Sequence, residues 1–150
     1  LFDSKGFEAA YGPTTVEQRC PDFKISYEGH ECQWNGPSWP YLTSMTLAAM
    51  ANYFNSYDSP IITKKDYLSL LNIYSNSHRI LSVNNDTICW IDENINPYTG
   101  DWISRTRLKS WKNGTWDDSK GGVERGKDYN HSSFCNLIIS GLMGVRPQED

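Results

Sequence analysis

Two adjacent carboxylates, Asp92 and Glu93, sit in the stretch Trp90-Ile91-Asp92-Glu93-Asn94-Ile95-Asn96-Pro97-Tyr98-Thr99-Gly100. They follow an apolar run and lead into a turn written by Asn96-Pro97 and Thr99-Gly100. Proline fixes its own φ and pushes the preceding residue towards extended geometry, so no helix crosses this segment. A carboxylate on irregular backbone can point into a cleft and exchange a proton with a bound molecule; taken alone, the pair reads equally as a solvated polar loop. A second stretch, Cys32-Gln33-Trp34-Asn35-Gly36-Pro37-Ser38-Trp39-Pro40, shifts that balance. Its two tryptophans flank a Gly-Pro turn, and indole faces with amides at a turn suit a pyranose: a flat apolar platform with hydrogen bonds at its edge.

The chain that must position these residues has 150 of them and reads as one domain, 1–150. Hydrophobic content of 38% with 21% charged residues is globular, and a net charge of −4 leaves no basic excess for nucleic acid. No apolar run approaches the roughly 20 residues of a membrane span. Leu1 opens neither a signal peptide nor a lipidation motif, so the chain reads as an excerpt with any exporting signal upstream. A periplasmic or extracellular location is favoured over a cytoplasmic one.

Cys20, Cys32, Cys89 and Cys135 form no C-x-x-C pair, and His30, His78 and His131 lack zinc-finger spacing, so no metal site is expected. Cys20 and Cys32 could be bridged, although buried free thiols are the expectation. Sequons begin at Asn85, Asn113 and Asn130. Six tryptophans, spread through loop-like segments, suggest a binding groove more than a core.

Residues 1–31 show no sustained period and read as a long structured loop over the mouth of a site, with a short strand at Phe23–Tyr27. Pro40 suits the first position of a helix running to about Phe54, apolar nearly all round and uncharged, and therefore buried on most sides. Asn55–Pro60 is a turn. Thr63 and Asp66 resemble a capping box for a second helix, whose stripe Tyr67, Leu70, Leu71 and Tyr74 opposes Lys64, Lys65, Ser69 and Asn72. A buried helix followed by an amphipathic one is the alternation of inner and outer helices in stacked hairpins. The segment Asp101–Lys127 is polar, without helical period, and carries Arg105, Arg107, Trp102, Trp111 and Trp116. Its Gly121-Gly122-Val123-Glu124-Arg125-Gly126 is not a phosphate loop, and its glycines would let the backbone approach a ligand that Glu124 faces. A last helix is expected from Asn130 or Ser132 to Gly144, burying Phe134, Leu137, Ile138 and Gly141.

With these residues laid out, the chain resembles the C-terminal portion of an inverting glycoside hydrolase catalytic domain. It is similar to glycoside hydrolase family 63, the mannosylglycerate hydrolases and, more distantly, the trehalases. Trp34-Asn35-Gly36-Pro37-Ser38-Trp39-Pro40 matches the W-x-G-P-x-W-P stretch that leads into an inner helix and lines the sugar subsite in that clan. Glu93-Asn94-Ile95-Asn96-Pro97-Tyr98-Thr99-Gly100 matches E-N-Y-x-P-x-T-G, which carries the general base, with Ile95 at the aromatic position. Tyr129-Asn130-His131-Ser132 is similar to the stretch that opens the last inner helix, with His131 where relatives have tryptophan. The resemblance spans about residues 30–145.

It implies an all-α fold, a portion of an (α/α)6 toroid with long aromatic-rich loops; three helices fall short of its six hairpins. It implies hydrolysis of an α-glycosidic bond with inversion, Glu93 acting as general base. Trp34, Asn35, Gly36, Pro37, Trp39, Glu124, Tyr129 and His131 would contact the carbohydrate. Inverting hydrolysis pairs such a base with a carboxylic acid roughly 6.5–9.5 Å away. In the clan that acid is an aspartate from earlier in the domain; no stretch here matches its surroundings, which places it upstream of Leu1. No cofactor is implied. The expected partners are the carbohydrate and either the rest of the catalytic domain or another copy of the chain. A non-catalytic carbohydrate-binding fragment, or a helical interaction domain, would serve the same tryptophans without turnover.

Overall fold

Proline at the first helical position loses no hydrogen bond, and Pro40 opens α1, Pro40–Ser56, directly after Trp39. The computed structural model describes residues 1–27, 33–58, 61–81, 86–104 and 133–147. The second helix, α2 (Lys64–Ser77), starts at a complete capping box: Asp66 N–H donates to the Thr63 hydroxyl, and Thr63 N–H donates to the Asp66 carboxylate at 2.7 Å. Its stripe of Tyr67, Leu70, Leu71 and Tyr74 is buried against Leu47, Met50 and Ala51 of α1 and against Leu137. Thus the periodicity expected for α2 is the periodicity of its burial.

Helix α1 departs from its expected burial. Tyr41 and Met45 are 45% and 51% exposed, and Ala48 and Ala49 are exposed beside them. Among the described residues only one flank of this apolar helix is fully covered, since α2 and the C-terminal helical segment pack on the same side. An all-α chain is also corrected. Arg79–Leu81 (β1) and Thr87–Cys89 (β2) pair as a small antiparallel hairpin, with Ile80 opposite Ile88. Phe23–Tyr27 forms no strand. Cys20 is free, which excludes the Cys20–Cys32 bridge, and Cys89 and Cys135 are exposed rather than buried.

The C-terminal helix is a turn of α3, Phe134–Asn136, continued as a π-helix over Leu137–Leu142. Its cause is the hydroxyl of Tyr67, which donates to the Leu137 carbonyl at 2.8 Å. A side chain inserted into the i→i−4 ladder forces the next bonds to longer reach, and Met143 N–H accordingly donates to Ile138 O. Leu137 is buried and Gly141 lies against Tyr67, as expected, but Phe134 is 41% exposed.

Two measurements test this packing. A Cβ at position 141 would collide with the Tyr67 hydroxyl, so Gly141→Ala is expected to lower stability by about 1–3 kcal/mol in urea melts; an unchanged midpoint would show that the close approach is not real. His78, at the end of α2, has its Nδ1 2.6 Å from the Tyr74 carbonyl, and burial holds its pKa below the ordinary 6.5 despite that bond. Below about pH 6.5 the unfolded chain therefore takes up the proton more readily than the folded one. Stability from this group is complete above that pH and declines as pH falls, and His78→Leu is expected to flatten that slope in melts taken between pH 7 and 5.

Candidate functional site

The two chemistry-bearing stretches are joined through their backbones. Ser38 N–H donates to Ile95 O at 3.0 Å, and Ile95 N–H donates to Ser38 O at 2.9 Å. This closed pair extends on both sides, with antiparallel bridges linking Thr14 to Ser38 and Ile95 to Trp102. Three stretches distant in sequence, around Thr14, Ser38 and Ile95–Trp102, thereby form a narrow ladder whose four bridging residues are all buried. The ladder lies next to the start of α1, because Ser38 precedes Trp39 and Pro40.

Residues 1–27 brace the ladder. Lys24 N–H donates to Asn35 O at 2.8 Å, Asn35 Nδ2 donates to Asp22 O at 2.9 Å, and Gly36 N–H donates to the Thr15 hydroxyl at 3.0 Å. Gly36 is required by proximity: an added Cβ would run into the Lys24 carbonyl. Pro37 is fully buried. Asn35 and Gly36, expected to contact sugar, are thus hydrogen-bonded within the protein, and Pro37, expected to do the same, is enclosed by it. The amide of Gln33 does the same, exchanging two hydrogen bonds with the backbone of Ser26.

The two indoles divide their roles. Trp39 is 3% exposed and donates its Nε1–H to Gln33 O at 2.7 Å. Trp34 stacks on it with centroids 4.1 Å apart and planes 20° from parallel, and is itself 50% exposed. A rigid buried ring beneath a half-exposed one makes a preformed platform, and Trp34 supplies its open surface. Trp102, read as a groove residue, is instead core: it is 1% exposed and donates Nε1–H to Arg79 O.

Along the carboxylate stretch burial alternates. Asp92 is 1% exposed and Asn94 is 0% exposed, while Glu93 between them is partly exposed. Of the two adjacent acids, Glu93, at a bend in the backbone, is therefore the partly exposed one and Asp92 the buried one. Asp92 accepts the Glu93 N–H through Oδ1 at 2.7 Å, which fixes the backbone that presents Glu93. Asn94 Oδ1 accepts from the Ser104 hydroxyl at 3.2 Å. Beyond it, Asn96 Oδ1 accepts the Tyr98 and Thr99 N–H groups, closing an Asx turn over Pro97. Asn96 Nδ2 donates to the Tyr27 hydroxyl at 2.9 Å, and Tyr98 donates its hydroxyl to Gln18. Burial raises the pKa of Tyr27, which keeps that hydroxyl neutral.

Tyr27, Gln18, Asn94 and Ser104 were not singled out by the sequence. Only the Asx-turn propensity of Asn-Pro signalled part of this network. Glu124, Tyr129, His131, Arg105, Arg107, Trp111, Trp116 and the three sequon asparagines, Asn85, Asn113 and Asn130, lie outside the described residues. Among the described residues no group of three His, Cys, Asp or Glu could hold a metal, and no helix is long and apolar enough to cross a membrane.

A family model described as the mannosylglycerate hydrolase MGH1-like glycoside hydrolase domain matches residues 1–132. No curated protein and no solved structure matches the chain.

The bracing of the tryptophan loop is open to a direct check. Gly36→Ala is expected to push residues 22–25 off that loop, lowering stability by about 1–3 kcal/mol and shifting the tryptophan emission while the helical circular dichroism persists. Unchanged emission and stability would mean that residues 22–25 do not hold the platform.

Proposed function

The chain belongs to the mannosylglycerate hydrolase MGH1-like glycoside hydrolase domain family, and from that premise we propose that it serves hydrolysis of an α-glycosidic bond with inversion, Glu93 being the general base. The family supports glycosidase activity in general; the assignment of Glu93 rests on the alternation of burial at Asp92, Glu93 and Asn94, which leaves one carboxylate facing outward. In this reading Glu93 takes a proton from water as the water's oxygen attacks the anomeric carbon. A carboxylic acid on the opposite side of the ring protonates the departing oxygen, and the two groups stand roughly 6.5–9.5 Å apart. No acid is assigned among these residues.

Each neighbour then has a task. Trp34, backed by Trp39, would carry the apolar face of a pyranose. Asp92 holds the peptide of Glu93, and the Asx turn at Asn96 holds the loop beyond it. A base that must keep one water in line works best on a backbone fixed this firmly. Glu124, Tyr129 and His131 complete the proposed sugar contacts. The open flank of α1, with Tyr41 and Met45, would be covered by further helices of a toroid or by another copy.

In the intact protein, Glu93→Gln is expected to lower kcat by roughly 10²–10⁴-fold with little change in KM, because the amide keeps the shape but takes no proton. Glu124→Gln should act mainly on KM. Steady-state kinetics on the two variants decides the matter, and full turnover by Glu93→Gln would remove it as the base. A wild-type protein that binds sugar without ever cleaving it would instead support a binding-only role.

A further inference from the structure

A cleft opens beside the end of the turn that follows Glu93, at Thr99 and Gly100. Its volume is about 540 Å³, within the range of small-molecule sites, and Trp34 is not among the residues that line it. Its floor is Thr99-Gly100-Asp101-Trp102, and its walls come from Tyr11, from the end of α2 at Asn76 and Ser77, and from the hairpin at Arg79, Ile80 and Thr87. The Tyr11 ring rests on the turn so closely that a Cβ at Gly100, where φ is +75°, would strike it. Tyr11 N–H also donates to Pro97 O at 3.0 Å, and Trp102 ties the floor to the hairpin through Arg79 O. The cleft is therefore built from four segments that hold one another in place.

We propose that this cleft is a second saccharide-binding site, for a neutral sugar chain of one or two rings, distinct from the Trp34–Glu93 site. The choice of a sugar rests on the glycosidase reading; the existence of a polyol-sized site does not. One guanidinium and one carboxylate line the cleft, so neither an anion nor a cation is favoured by net charge. Arg79 makes no ion pair among the described residues, which leaves its planar set of donors for hydroxyl groups. Thr87 and Asn76 add acceptors and donors, and Tyr11 supplies a ring. Alternating hydroxyls and C–H faces are what a pyranose offers to such a mixture. An occupant here would press on the end of the turn that follows Glu93, steadying the catalytic loop while a longer chain is held.

The test uses non-hydrolysable, sulfur-linked α-gluco- and α-manno-disaccharides, titrated calorimetrically into the intact protein. Two sugars per chain are expected for the wild type. Thr87→Trp fills the cleft from an exposed strand position that favours aromatics, and should leave one sugar bound with turnover retained; Trp34→Ala should remove the other. Arg79→Ala should weaken the second site about tenfold, on the scale of a lost charge-assisted hydrogen bond. A wild type that binds one sugar or none, or a stoichiometry of two that survives Thr87→Trp, overturns the proposal. Two-site binding by a protein that cleaves no glycoside would leave the second site standing and remove the glycosidase reading.

Discussion

The exchange of two backbone hydrogen bonds between Ser38 and Ile95 is the constraint on which the rest of the site depends. Both residues are sealed from solvent, at 1% and 0% exposure, so water cannot replace either bond if the loops part. Leaving such buried groups unpaired costs about 1–3 kcal/mol each, enough to keep the tryptophan loop and the carboxylate loop together through thermal motion. The pair is a single rung, not part of a broad sheet. Its neighbours must therefore be held by side chains, which explains the density of side-chain hydrogen bonds around it: Asn35 to Asp22, Gly36 to Thr15, and Asn96 to Tyr27 and its own turn.

The same rung couples the site to the helices. Trp39 ends the ladder strand and is the residue before Pro40, so the axis of α1 and the position of the indole pair are set together. Packing α2 and the π-helical segment against one side of α1 consequently helps to orient the platform at its N-terminal end. The exposed carboxylate is positioned differently: two buried polar neighbours, Asp92 and Asn94, anchor the backbone on either side of Glu93. Rigidity here comes from buried carboxylate and amide oxygens, Asp92 Oδ1 and Asn94 Oδ1, that each accept a hydrogen bond, and rigidity of the apolar platform comes from stacking.

What was legible in the sequence follows from which interactions have a residue-type signature. The start and the buried face of the second helix were legible, because Thr63 and Asp66 write a cap and the Tyr67–Tyr74 stripe writes a face. The start of α1 at Pro40 was legible for the same reason. The π-helix was not: its cause is a tyrosine hydroxyl seventy positions away in sequence. Strands of three residues are too short to show a period of two, so the hairpin at Arg79–Cys89 was missed. Tryptophan type did not distinguish Trp34, which is half exposed, from Trp39 and Trp102, which are core. The pairing that unites the two motifs runs through peptide groups, which every residue carries, and nothing in local sequence could have announced it.

The division between Trp34 and Trp39 shows why such a site resists being read as a list of contact residues. A half-exposed indole alone would be free to change rotamer, at a cost in order that a weakly held sugar could not offset. Stacked on a ring that is itself fixed by a hydrogen bond to Gln33 O, Trp34 has already lost that freedom in the folded protein. Trp39, Gly36 and Pro37 then shape the platform from beneath without being part of its open surface. Their demand on the sequence is as strict as that of a contact residue, because each fills a space that admits no other shape: Gly36 against the Lys24 carbonyl, Trp39 beneath Trp34. Most residues of this motif therefore face inward, and the shape of its surface is set by what lies under it.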